Sequence, residues 1–357
     1  MPIVSPYENL EKRAFWRSGV AEADSYPPEA IYKPKFTISR ETRILTAGSC
    51  FAQHVGRVLN TSGFSVIDTE PMPDSCPVQM QRQYGYGLYS ARYGNLYSVR
   101  QFLQLLQEAY GLFEPSEPVW ERDGRYYDAL RPSIEPQGYE TARHVQTARK
   151  AHLRAVREAF EQAQVVIFTL GLTEAWEHIE SGTVYPTAPG TIAHSMDNTT
   201  FAFRNFRTRE ISDDFAAVRA LIKARSPEVQ FILTVSPVPL TATATTQHVL
   251  PATVYSKSVL RTVCGELYED FNDVDYFPSY EIVASHPGKA AFFEKNLRSV
   301  SPAGVERVMR CFLEAHDGKE SDQSSPKAKT PAPDISAEGL DRDDVQCEEA
   351  LLEAFGK

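Results

Sequence analysis

The chain has 357 residues, 42% of them apolar, enough to bury a substantial core in one large domain or two small ones. Its formal net charge of −10 argues against a general nucleic-acid surface, and no stretch approaches the roughly 20 apolar residues a membrane span needs. Cysteines at 50, 76, 264, 311 and 347 show neither metal-ligand spacing nor a disulfide framework, so a reducing, cytoplasmic setting and no cofactor are expected. The acidity is uneven, since residues 317–357 hold 11 acidic and five basic side chains.

Residues 1–40 scatter Tyr7, Phe15, Trp16, Tyr26, Tyr32 and Phe36 among prolines without sustained periodicity, the pattern of an arm packed across a domain surface. In Arg43-Ile-Leu-Thr-Ala-Gly-Ser-Cys-Phe-Ala-Gln-His54, Ile44, Leu45 and Ala47 read as the end of a buried strand and Gly48 as a sharp turn. Phe51, Val55, Val58 and Leu59 then fall at helical spacing. Such a turn presents its residues at the mouth of a sheet, where a helix N-terminus offers free N–H groups and positive partial charge. Ser49 and Cys50 stand there, a hydroxyl and a thiol where nucleophiles of many α/β hydrolytic folds sit. A tight turn with a cysteine packed beneath it would use the same residues, so this stretch alone leaves both readings open.

Residues 63–68 read as a second strand of a βαβ start, and the Tyr- and Gly-dense loop 70–95 is long enough to cover a site. Ser98 caps an amphipathic helix over 99–110, Asp123-Gly124 turns a hairpin over 120–127, and 140–162 forms a helix with His152 at its core edge. The apolar run 164–171 is a strand buried on both faces, ending in Gly171-Leu-Thr-Glu174. A hairpin over 176–185, a loop over 186–198, a helix over 213–224 capped by Ser212 and a strand over 230–235 follow. Then come a polar loop over 236–248, a helix over 255–272, a short strand over 274–277 and a last core helix opened by Ser301-Pro302. This alternation predicts an α/β fold with three layers, a mainly parallel sheet with helices on both faces and hairpin insertions. The loops at 48–50, 92–95, 171–174 and 236–248 should converge on one cleft. Residues 317–338 are too polar to pack and read as a linker. Residues 339–357 regain helical spacing with an acidic face, either docking a protein partner or folding back on the core domain, 41–316.

Thr46-Ala-Gly-Ser-Cys-Phe-Ala-Gln53 resembles the signature for which the GSCFA family is named. Tyr89-Ser-Ala-Arg-Tyr-Gly-Asn95, Thr169-Leu-Gly-Leu-Thr-Glu-Ala-Trp176, Thr234-Val-Ser-Pro-Val-Pro-Leu240 and Tyr255-Ser-Lys-Ser258 are similar to that family too. The family is considered similar to SGNH/GDSL hydrolases, and the resemblance implies an SGNH-like fold and site. Aligned on Gly48, Cys50 takes the nucleophile position; a one-residue shift gives it to Ser49. Gly94, with Asn95 beside it, resembles the glycine that serves the oxyanion hole, and Gly171-Leu-Thr173 matches Gly-x-Asn with Thr173 in place of Asn. The Asp-x-x-His that precedes the last helix in SGNH enzymes is replaced by Arg298-Ser-Val-Ser301. A general base must therefore come from elsewhere, with His54, His248 and His286 as candidates in that order.

The expected activity is acyl transfer, an esterase or O-acyltransferase acting on a small-molecule or glycan substrate such as an acylated carbohydrate. The N–H groups of Cys50 and Gly94 and the Thr173 hydroxyl would hold the oxyanion. Arg92, Gly171, Glu174, Ser236, Lys257 and Glu281 would contact substrate, with Lys257 and Arg92 binding its anionic part. The rival is a non-catalytic module binding a glycan or peptide, its tail helix recruiting a partner.

Overall fold

In the computed structural model, which describes residues 5–316, 345 and 347–356, β1 (Ile44–Gly48) turns directly into α1 (Phe51–Thr61). The turn needs a glycine. Gly48 has φ +133°, and a Cβ there would lie 2.4 Å from the Thr169 carbonyl oxygen. Around it runs a four-stranded parallel sheet in the order β1, β4 (Val165–Leu170), β8 (Gln230–Val235), β9 (Val274–Tyr276). Its register pairs Gly48 with Thr169 and Leu170 with Val235, so the three longest strands end at one level.

Alternate residues of the strands feed two cores, which makes the fold three-layered. Leu45, Ala47, Val166, Phe168, Leu170 and Phe231 face a core shared with α2 (Val99–Ala109), α3 (Ala142–Gln162), α4 (Thr208–Lys223) and α5 (Val249–Asp270). Ile44, Val165, Ile167 and Ile232 face the other, shared with α1, α6 (Ser279–Ala284) and α7 (Pro302–His316). Tyr32 of the N-terminal arm enters this second core and donates a hydrogen bond to Asp275 at 2.8 Å.

Two smaller sheets sit beside the main one. The hairpin of β2 (Val119–Arg122) and β3 (Arg125–Asp128) turns at Asp123 and Gly124, both at positive φ. β5 (Glu174–His178) pairs with β6 (Val184–Tyr185) and β7 (Phe201–Asn205), and fully buried Trp120 packs on Tyr185 at 5.0 Å to join the two units. Behind them, Asp128 binds Arg131 and Arg149, Arg149 also binds Glu108, and Glu70 receives His152 at 2.6 Å. His152 is fully buried, so it is a core histidine.

Several boundaries differ from the sequence reading. Residues 63–68 form no strand, only one parallel bridge from Val66 to Ile44. α4 begins a turn earlier than predicted because the Glu210 carboxylate accepts the Arg207 N–H at 3.0 Å, leaving Ser212 inside the helix rather than at its cap. α5 likewise begins early, capped by His248, whose ring nitrogen accepts the Leu250 N–H at 3.1 Å. β7 was not anticipated at all. The predicted linker, 317–338, lies outside the described residues. Among the described residues no helix is long and apolar enough to cross a membrane.

Candidate functional site

The site grows from the ends of β1 and β4. The Leu96 N–H donates to the Gly48 carbonyl at 2.9 Å, and the N–H groups of Gly171 and Leu172 donate to the Tyr97 carbonyl at 3.0 and 3.1 Å. The segment 94–97 is thereby clamped between the two strand ends. Ser49 is buried and touches Gly171 so closely that a Cβ on the glycine would meet the Ser49 Cβ at 2.8 Å. The Lys257 ammonium, on α5 and 2% exposed, donates to the Gly171 carbonyl at 2.6 Å. Cys50 opens α1 beside these groups.

The Asn95 amide is held in one orientation. Its Oδ1 accepts from the Tyr89 hydroxyl and, at 3.2 Å, from Gln53 Nε2, which turns Nδ2 into the cleft. The ligand it meets there belongs to the chain itself. Residues 348–355 form a short 3₁₀ helix, Glu348–Phe355, seated across the cleft. One carboxylate oxygen of Glu348 accepts from Asn95 Nδ2 and, at 2.7 Å, from the Tyr97 hydroxyl; the other accepts from Ser133 Oγ. Arg298 lies 3.5 Å from Glu349 and donates to the Cys347 sulfur at 3.6 Å, while the Tyr97 hydroxyl lies 3.9 Å from the same sulfur. These contacts bring Cys347 into the cleft beside the start of α1, where it interacts with Cys50. An apolar cavity of about 190 Å³ continues under this segment, walled by Leu172, Trp176, Phe203, Leu240 and Leu352.

Charge in the cleft is set by these contacts. The neighbouring Cys347 raises the Cys50 thiol well above its ordinary range, reinforced by burial. Cys50, with Arg298, lowers Cys347 to about 6 despite burial. Burial lowers Lys257 to about 8 and Arg298 pushes the same way, while the negative charge of Glu349 and Cys50 resists. Burial and the neighbouring Cys347 raise the Glu349 carboxyl to about 8, against Arg298 and Lys257.

Of the expected site residues, Ser49, Cys50, Gly94, Asn95, Gly171 and Lys257 come together, with Gly94 bordering the Glu348 carboxylate. Thr173 is fully buried, but its N–H donates to Ser256 at 3.0 Å and its hydroxyl to Asn205 at 2.7 Å. Arg92 is spent on the Tyr84 carbonyl, the Tyr86 ring and Glu135. Glu174 borders the apolar cavity and accepts from Thr243 at 2.7 Å, and Ser236 is buried at the end of β8. Glu281 lies on α6, paired with Arg261 at 2.5 Å and Tyr276 at 2.8 Å.

The three histidines make other contacts. His54 Nδ1 accepts from Arg57 at 2.9 Å, and burial with that neighbouring charge lowers it to about 3. His248 is an exposed helix cap, and His286 is exposed and stacks on Trp16 at 5.5 Å. Among the described residues no three His, Cys, Asp or Glu side chains could together hold a metal ion. The sequence reading missed Tyr97, Ser133, Cys347, Glu348 and Glu349 as cleft residues. Arg298 was visible as the residue standing where SGNH enzymes begin Asp-x-x-His.

A model of the GSCFA family matches residues 43–312, which takes in β1 through most of α7. No curated protein matches the chain.

Proposed function

The chain belongs to the GSCFA family, and from that premise and the cleft just described we propose that it is an acyl-transfer enzyme with Cys50 as nucleophile. One observation carries the reading. A carboxylate oxygen is held by Asn95 Nδ2 and the Tyr97 hydroxyl beside a thiol at a helix N-terminus, the arrangement that would hold the oxyanion of a tetrahedral intermediate.

In this scheme the C-terminal segment has left the cleft and Cys50 attacks the acyl carbonyl of the donor. Asn95, Tyr97 and the N–H groups at 50 and 94 stabilise the oxyanion, and collapse releases the donor alcohol and leaves a thioester on Cys50. Water or an acceptor hydroxyl then takes the acyl group. Lys257 serves as the general base in place of a histidine, since it is buried, feels the Cys50 charge and is lowered to about 8. Departure of Glu349 removes the charge that holds its pKa up and so favours the neutral amine. Arg298 then remains to bind an anionic part of donor or acceptor. The cavity walled by Trp176 and Phe203 suits an acyl chain or a sugar face, which supports an acylated carbohydrate or a similar hydroxylated substrate.

The test is hydrolysis of p-nitrophenyl acetate by the full chain. Cys50→Ala should lower the rate by about 10³-fold or more; an unchanged rate removes Cys50 from the chemistry. The seated acidic segment itself favours a second reading, a non-catalytic module for acidic peptides. On that reading Cys50→Ala would leave ester turnover at background in both proteins while a peptide of residues 347–356 still bound a chain carrying Glu348→Ala and Glu349→Ala.

A further inference from the structure

Cys50 and Cys347 lie far apart in the sequence, yet the contacts of Cys347 and Glu348 with Tyr97 and Asn95 bring Cys347 into the cleft at the start of α1, where each thiol shifts the other's ionisation. The other cysteines differ. Cys264 is buried in the core, Cys311 lies on α7, and Cys76 donates to the Pro77 carbonyl. Cys347 is also surrounded by groups that favour a thiolate, with Arg298 Nη2 at 3.6 Å and the Tyr97 hydroxyl at 3.9 Å. The residues after it are anchored independently, Glu348 by Asn95, Tyr97 and Ser133 and Glu349 by Arg298. Cys347 is therefore held in the cleft by several contacts of its own segment.

We propose that Cys50 and Cys347 are a reversible dithiol–disulfide pair which, oxidised by a hydroperoxide, tethers the C-terminal segment in the cleft and blocks the Cys50 sulfur. The Cys347 thiolate attacks one peroxide oxygen; the O–O bond breaks, and Cys347 becomes a sulfenic acid as hydroxide leaves. The Cys50 sulfur then attacks the sulfenic sulfur, the S–S bond forms and the S–O bond breaks. The departing hydroxide takes the Cys50 proton as water. Two thiols lose two electrons and the peroxide is reduced. A dithiol reductant reverses the step by thiol exchange at the same bond. Reduced, the segment is held by non-covalent contacts and exchanges with ligands of the cleft; oxidised, it cannot leave.

This goes beyond acyl transfer and does not depend on it, because the test reads sulfur bonding. The full chain is treated with hydrogen peroxide, digested without reduction and mapped by mass spectrometry. A monomer that has lost two hydrogens is expected, with the Cys50 peptide joined to the Cys347 peptide and released by dithiothreitol. Cys347→Ser should give no link to Cys50. Glu348→Ala with Glu349→Ala, which keeps both thiols but removes the anchors, should slow linkage by about tenfold or more. A link formed at the parental rate in that variant, a disulfide-bonded dimer, or a sulfinic acid on Cys347 with Cys50 still a free thiol would each overturn the proposal.

Discussion

Gly171→Ala tests whether the strand ends set the site geometry. The new Cβ would lie 2.8 Å from the Ser49 Cβ and 3.0 Å from the Tyr97 carbonyl oxygen. Carbon contacts settle at about 3.5–4.0 Å, so β1, the 94–97 segment and the end of β4 must part by up to about 1 Å. Overpacking of this kind costs about 1–3 kcal/mol. The same shift moves the carbonyl that holds Lys257, and misplacement by about 1 Å costs on the order of 10²-fold in rate. Urea denaturation should give a lower midpoint with an unchanged slope, and ester hydrolysis should fall by about that factor. Gly265→Ala is the control. It sits inside α5, and its Cβ would meet only the tip of Arg261 at 3.0 Å, so it should stabilise by up to about 1 kcal/mol. If Gly171→Ala matches the parent in midpoint and rate, the close approach of Gly171 and Ser49 does not position the site.

Ser49 Oγ is buried and has no hydrogen-bond partner among the described residues, so Ser49→Ala should leave stability within about 0.5 kcal/mol of the parent and keep ester turnover; loss of turnover would make Ser49 the nucleophile instead. Lys257, at about 8 with the segment seated, should lose its proton at lower pH once Glu349 has left, so turnover should climb as pH rises towards 8; Lys257→Met should flatten that rise and cut the rate by about 10²-fold or more, with Lys257→Arg giving no rescue. Asp128→Ala leaves Arg131 and Arg149 buried without their shared carboxylate and should cost about 3–5 kcal/mol in chemical denaturation. Burial and Arg131 lower His152 to about 4, outweighing the Glu70 carboxylate, so between there and its ordinary 6.5 the unfolded chain binds the extra proton. Stability should therefore fall as pH drops through that window, and His152→Gln should remove that slope in melts taken across it.

Periodicity made the main sheet legible, because strands buried on both faces leave runs such as 164–171 and 230–235 that little else explains. The boundaries of α4 and α5 were set by Glu210 and His248, whose caps depend on local geometry that their spacing did not reveal. The 63–68 segment has strand-like residues, but it borders only the outer edge of β1 and pairs at one point. At the site, Ser49, Cys50 and Gly171 were legible because a βα turn or a strand end carries them, whereas Tyr97 and Ser133 lie in irregular segments with no motif of their own. The histidines drew attention by residue type, and their contacts lie with Arg57, Leu250 and Trp16. Least visible was the docking of 347–356, since its sequence signals an amphipathic acidic helix without saying where its carboxylates bind.

Acyl transfer through Cys50 is tested most directly by the mass of the intact protein after brief reaction with p-nitrophenyl esters at neutral pH, using the chain with Glu348→Ala and Glu349→Ala so that the cleft is open. One acyl group per chain is expected, retained in Ser49→Ala and lost in Cys50→Ala. No adduct, or one that persists in Cys50→Ala, would contradict it.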